Sequence, residues 1–378
     1  MKRILLFFCF PLLSFIYAEY SWQRSPVEPL IQDGVEALYN YDFDKAISLL
    51  DSAWHIDDTH PVIPFVLIAA KWLRTQMQEG YAASYTIINT EVDNTIPIYK
   101  HLIDKNPDDP EMVLYLGSTY GIRARTAIAG KDWLDVLYFG YQGLKYIRQA
   151  QSMDGKLMDI YMPLGLMEYF SCLSAAPIQW AAKLIGLSTD CELGLQNLEI
   201  AAEESHYSWI EASNVLSYAY LHIERDYRKA EKVIYPLVEQ FPGHPFFSFL
   251  KGELLAKTGD WDELEKILPR LQEFTKSNSF LQQNECQLKL AYIQGLKSFH
   301  HKDYATAIEK CNWMISNYHM EFDWLKGFAH LLRGRSFDML DKRDLAVKDY
   351  IEVLNMDSYY PEVKEAEKYL SNPWIISN

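Results

Sequence analysis

Apolar residues recur along this chain at helical spacing, in short runs that come in pairs. Ala46, Leu50 and Ala53 mark one stripe and Ala230, Ile234 and Leu237 another, each placing its side chains on one face of a helix. Strand-like alternation of useful length is absent, so the pattern predicts an all-α chain. The punctuation agrees: Asn106-Pro107-Asp108-Asp109-Pro110 and Phe241-Pro242-Gly243-His244-Pro245 each end one helix and open the next. The segment from Tyr81 to Asn94 is assigned to no element. Ser371 to Asn378 reads as a short tail, with Trp374 packed on the last helix.

The pairs repeat. Asp, an aromatic, two variable residues and a small or aliphatic residue recur as Asp42-Phe43-x-x-Ala46, Asp226-Tyr227-x-x-Ala230, Asp260-Trp261-x-x-Leu264 and Asp303-Tyr304-x-x-Ala307, with a degenerate copy at Asp344-Leu345-Ala346. Twelve residues before the small position stands Gly34, Gly252, Gly295 or Gly334, the exception being Tyr218. The spacing predicts a first helix, a turn carrying the Asp and a second helix, with the Gly and the Ala where the two helices cross most closely.

These anchors resemble the tetratricopeptide repeat, a helix-turn-helix unit of about 34 residues. Ala230 and Leu264 stand 34 apart, while the next two intervals are 43 and 39, so some connections are longer. Leu116-Gly117-x-x-Tyr120 matches the first-helix signature, followed by Asp132-Trp133, and Leu164-Gly165 opens another unit with Gly194, Leu198 and Ala201 as its second helix. The tract from Tyr120 to Ala202, with Gly-Leu pairs at 143–144, 165–166 and 194–195, resembles exported bacterial proteins of this class, a likeness that brings no activity with it. The resemblance implies a right-handed superhelix of about seven units. Residues 30–205 form the irregular part and 206–370 the more regular one, after a leader at 1–18 and a linker at 19–29, and before the tail at 371–378. It also implies that first helices line a concave groove. The offsets place Phe246, Phe249, Glu253, Tyr292, Leu296, Phe299, Phe328, Leu331 and Arg335 there, a set dominated by aromatic rings. Groove cations of the kind that clamp a peptide carboxylate reduce to Lys289 and Arg335. The groove therefore suits an apolar or amphipathic segment of another protein. The alternative is that tight curvature packs these rings against the neighbouring unit.

Composition narrows the partner and the compartment. The chain has 378 residues and a formal charge of -15, from 36 Lys and Arg against 51 Asp and Glu, which argues against nucleic acid and anionic lipid. Met1-Lys2-Arg3 followed by an apolar run to Tyr17 and a small Ala18 reads as a secretory leader. Its removal takes away two basic residues and no acid, giving -17. An uncleaved leader is the only route to membrane association. Export permits disulfides. Cys172 and Cys191, which flank a loop and helix, are the most plausible pair, against the alternative of buried free thiols; Cys311 reads as a small core residue.

Chemistry-bearing motifs point nowhere in particular. GxSxG, GxxxxGK[ST], HExxH and GxGxxG are all missing. His55, Asp57, Asp58 and His60 read as a polar helix end and not a metal site, as do Glu203, Glu204 and His206. His300, His301 and Lys302 fall in a solvated turn. Arg123 and Arg125 suit an acidic group of a ligand, or acids of the chain itself. The expectation is a non-enzymatic scaffold in the cell envelope or secreted, with no cofactor, metal or small-molecule substrate. An enzyme with its site in residues 120–204 and an accessory subunit of an envelope assembly complex are the alternatives.

Overall fold

The computed structural model describes residues 25–130, 132–356 and 360–375. The leader and its cleavage at Ala18 lie outside them. Among the described residues there are eighteen α-helices and no strand.

The helices form consecutive hairpins. The first two pairs are α1 (Glu28–Tyr39) with α2 (Phe43–Ile56), and α3 (Val62–Glu79) with α4 (Tyr81–Lys105). Then come α5 (Pro110–Ala129) with α6 (Trp133–Met153), and α7 (Tyr161–Leu173) with α9 (Cys191–Glu204), the short α8 (Ala176–Leu184) being inserted between the last two. The second half continues with α10 (Trp209–Tyr218) and α11 (Tyr227–Gln240), α12 (Pro245–Thr258) and α13 (Trp261–Phe274), α14 (Phe280–His300) and α15 (Tyr304–Ser316), and α16 (Trp324–Asp338) and α17 (Arg343–Leu354). A final helix, α18 (Pro361–Ser371), covers the end. Each pair packs on the next, so the apolar core runs along an α-solenoid.

There are eight pairs, one more than the anchors predict. The extra pair is α3 with α4, which carries no Gly and Ala anchors. Tyr81 to Asn94 is the first half of α4, where Ser84, Thr86 and Thr90 hydrogen-bond carbonyls three or four residues back in the same helix. Those hydroxyls hide a stripe of Ile88, Val92, Tyr99 and Leu102 that is buried throughout. Trp374 packs on Phe299 of α14, with ring centroids 5.1 Å apart.

The repeated turn has one chemistry. Asp42, Asp132, Asp226, Asp260 and Asp303 each cap the following helix, the carboxylate accepting from the backbone N–H three residues on. In four of these turns the residue before the Asp sits in the left-handed region: Tyr41, Arg225, Gly259 and Lys302, with φ between 56° and 77°. The Asp N–H then bonds the carbonyl five residues back, as from Asp42 to Ala37, Asp260 to Leu255 and Asp303 to Ser298. One turn thus closes the first helix and opens the second.

The small positions sit where the helices touch. Ala46, Ala230, Leu264, Ala307 and Ala346 are fully buried, and the stripes Ala46-Leu50-Ala53 and Ala230-Ile234-Leu237 are the whole buried complement of α2 and α11. A Cβ on Gly34 would stand 2.9 Å from Leu50 and one on Gly334 2.6 Å from Tyr350; Gly252 faces Leu271 at 2.8 Å and Gly295 faces Leu332 at 3.2 Å. In the irregular tract the crossing is glycine on glycine. A Cβ on Gly117 would stand 2.9 Å from the carbonyl oxygen of Gly143, one turn before Tyr120, whose ring stacks on Tyr146. A Cβ on Gly165 would stand 2.7 Å from the carbonyl oxygen of Gly194.

Candidate interaction surfaces

The array winds tightly enough for distant helices to meet. On one side Asn40, in the turn after α1, accepts from Gly243 N at 2.9 Å, while the Tyr39 ring packs on Phe241 and that of Tyr41 on Phe246. Glu28 bonds both His206 at 2.9 Å and Tyr207 at 2.6 Å, tying α1 to the start of α10. On another side Glu321 takes the hydroxyl of Tyr85 and pairs with Arg125 at 3.2 Å, and Arg125 lies over the rings of Trp72 and Tyr85. Arg125 is thus matched by an acid of the chain itself. Ser279 donates to the carbonyl of Met77 at 2.6 Å.

This winding fills the face that the repeat offsets assign to a groove. Phe249, Glu253, Tyr292, Phe328 and Leu331 are buried, and Phe246, Leu296, Phe299 and Arg335 are partly covered. Phe328 packs against Tyr292, His222, Trp324 and Tyr360. Among the described residues, the chain's own side chains cover these rings. A partner would reach Phe249, Tyr292 or Phe328 only after those helices separated.

Charged side chains share this interior. Lys289 is 4% exposed; its ammonium contacts Tyr218 Oη at 3.2 Å and Glu285 at 3.1 Å and lies over the rings of Phe246, Tyr218 and Trp324. Burial works against its charge, but Tyr218 and Glu285 outweigh that and hold its pKa above the usual lysine value. Beside it a π-helical turn, Ala219–Ile223, turns His222 inward, 3.4 Å from Glu253, which also pairs with Lys257 at 3.2 Å. Burial, reinforced by Lys257, Lys289 and Arg225, pushes the His222 pKa well down, and burial pushes the Glu253 carboxyl up. Arg225, just past the turn, bonds Glu362 at 2.9 Å and Glu365 at 3.1 Å, and Arg335 bonds Glu365 at 2.7 Å, so α18 is latched to the middle of the chain. Nothing in the sequence's local spacing announced this network; Glu253, Lys289 and Arg335 read as groove-facing residues and not as partners in a shared interior.

The polar helix ends are also spoken for. His55 bonds the carbonyl of Asp51, Asp57 takes Ser25 and Thr59, and His60 is buried beside Glu28. Among the described residues no group of three or more His, Cys, Asp or Glu side chains is arranged to hold a metal. Likewise, no described helix is long and apolar enough to cross a membrane. One cleft, of about 180 Å³, is lined by Tyr81, Tyr218, Glu285, Glu321 and Trp324, and another by Leu290, Ala291 and Trp313, none of these residues lying in 120–204.

The uncovered apolar surface is elsewhere. Trp133, Leu134, Leu137, Tyr138 and Tyr141 follow one stripe of α6 on the side turned away from the crossing with α5, and Leu134 is 80% exposed. On α8, Ile178, Trp180 and Leu184 point outward, the last two at 66% exposure, while Ala182 anchors the other face in the core. Arg148, on the same stripe of α6, bonds the carbonyl of Gly186 just past α8. A signal for this was present in the sequence. Helix α6 is apolar nearly all round, from Trp133 through Ile147, and one neighbouring helix cannot cover both faces.

A disulfide frames α8. Cys172, near the end of α7, joins Cys191 at the start of α9, with Cα atoms 5.4 Å apart, while Cys286 and Cys311 are buried free thiols. The bridge spans a separation of 19 residues, for which loop-closure entropy corresponds to about 3 kcal/mol. Reduction, or the Cys172→Ser/Cys191→Ser pair, is expected to lower stability by that order and to raise hydrogen exchange first in α8. Unchanged exchange in 174–190 on reduction would show that the bridge constrains nothing.

Comparison with known protein families found no match, and no curated protein matches the chain. Among solved structures, a crystal structure of the P58(IPK) TPR domain aligns over 91% of this chain and 97% of its own, at 12% identity and a TM-score of 0.25. A TM-score that low carries no weight, and the class assigned here, an all-α helix-pair solenoid, rests on the hairpin stacking described above.

Proposed function

We propose that this chain is an exported, non-enzymatic scaffold that binds an apolar or amphipathic segment of protein through the outer face of α6 and α8. One observation carries the reading. Of the eighteen large apolar side chains that are exposed among the described residues, ten fall between Ile128 and Leu193, a stretch under a fifth of the chain. Scattered exposed apolar residues are ordinary, but a contiguous patch beyond roughly 300–600 Å² on a soluble chain marks an interaction surface. The leader-like residues 1–18 and the Cys172–Cys191 bridge support export. The filled interior turns the binding face outward, so the scaffold presents a convex helix face instead of a groove.

The test is photo-crosslinking in the producing cells, with benzoylphenylalanine at position 138 or 180 and a control at Trp313, on the opposite half of the chain. Protein adducts from 138 and 180 but not from 313 are expected. Their absence from both positions would overturn the reading.

A further inference from the structure

We infer that the protein segment received on this face is α6 of a second copy of the same chain, packed antiparallel about a two-fold axis; the inference rests on the reading above and names its partner. Area is the first argument. Four aromatic side chains, 47% to 66% exposed, and four aliphatic ones on α6 and α8 offer on the order of 900 Å², against the roughly 800 Å² per partner that a stable complex buries.

The second argument is the order of charge along the stripe. Asp132 and Asp135 stand at the N-terminal end of α6, and Lys145 and Arg148 toward its C-terminal end. A parallel mate sets like charge beside like. An antiparallel mate brings the acidic end over the basic end, opposes the helix dipoles and, in register, sets Leu134 against Tyr141 and Leu137 against Tyr138 of the mate. Leu134, Leu137, Tyr138 and Tyr141 then each meet another apolar residue, as an isologous contact requires, with Trp133 at the rim opposite Gln142.

The third argument is Gly140. Nothing in the chain lies within 4 Å of the position a Cβ would take there, so no internal contact calls for a glycine that a helix interior disfavours. It leaves a notch beside Leu137 and Tyr141, into which a ring of the mate fits. The competing occupant, a bilayer surface, has the chain's -15 charge against it.

Sedimentation velocity on the full chain, at concentrations up to about 100 μM, decides. The wild type is expected to show a monomer–dimer equilibrium. Leu134→Asp/Tyr138→Asp should be monomeric with an unchanged melting temperature, and Gly140→Leu should weaken the dimer by about tenfold or more while leaving the fold intact. Lys145→Glu should also weaken it, with Asp135→Lys added to Lys145→Glu recovering part of the loss. A wild type that stays monomeric overturns the inference, as does a dimer that survives Leu134→Asp/Tyr138→Asp. So does a monomer that instead floats with phosphatidylcholine–phosphatidylethanolamine vesicles. A monomer that still gives heterologous adducts from position 138 removes the second copy and leaves the protein-binding reading standing; a monomer without adducts removes both.

Discussion

Replacing Gly194 by Ala is expected to destabilise the chain by about 3 kcal/mol or more and to lower its melting temperature by several degrees. The added Cβ would stand 2.6 Å from the backbone nitrogen of Tyr169 and 2.8 Å from its Cα, so relief requires α7 and α9 to move apart. Neither helix is free to do so. The Tyr169 ring is fully buried and its hydroxyl bonds Glu224 at 2.7 Å, and Gly165 on the same helix has no room for a Cβ against the Gly194 carbonyl. Gly295→Ala is the matched control. There the nearest atom is the flexible end of Leu332 at 3.2 Å, and the gain in helix propensity, about 1 kcal/mol, offsets a small shift. Equal melting temperatures for the two variants would mean that the glycine crossing is slack.

The second large effect is with pH. Acidification from pH 6.5 to about 4.5 is expected to remove on the order of 2 kcal/mol of stability through His244, with His222 adding to the loss. Burial, with Lys289 nearby, holds His244 down to about 3, and burial with Lys257 holds His222 well below its ordinary value. The sign follows from proton counts. Below about pH 6.5 the unfolded chain protonates these imidazoles and the native one does not, so stability falls until the native pKa is reached; above pH 6.5 the two states bind protons alike and the term vanishes. His244 has a local reason to stay neutral as well: its Nδ1 accepts from Phe247 N at 3.2 Å, capping α12, and the ring stacks on Phe247 at 3.6 Å. Glu253 acts the other way, because burial raises its carboxyl and protonation relieves the native state. Urea unfolding at stepped pH measures the slope, and His244→Asn with His222→Gln should flatten it. A profile level from pH 7.5 to 4.5 would refute the assignment.

What was legible in the sequence was whatever repeats at short range. Ala46, Leu50 and Ala53 announce a buried face because helix period ties them together, and Gly34 to Ala46 announces a crossing because both lie in one hairpin. The same logic gave the Cys172–Cys191 pair, since α7 and α9 are neighbours around α8. The pair α3 with α4 escaped because its crossing uses no small-residue anchor and its hydroxyls blur the apolar stripe. The filled interior escaped for another reason. First-helix offsets identify which side chains turn inward, but whether Phe249 or Tyr292 faces solvent depends on superhelical radius, and that is set by contacts such as Asn40 with Gly243 that join distant segments. Exposure of the α6 stripe was deducible from its all-round apolarity, read against how many neighbours a helix in a stack can have.

The latches carry a consequence for how the chain folds. An open repeat array gains and loses units from its ends almost independently, because each touches only its neighbours. Here Tyr85 reaches Glu321 across 236 residues and Arg225 reaches Glu362 across 137, while Glu28 near the start holds Tyr207. The first and last described helices are therefore both fastened to the middle, so fraying of either must break long-range hydrogen bonds or ion pairs. Long-range closure comes late and slowly in folding, since its loop entropy is lost before its contacts form. Hairpins would assemble first in this chain, and the search for a single wound state would set the pace.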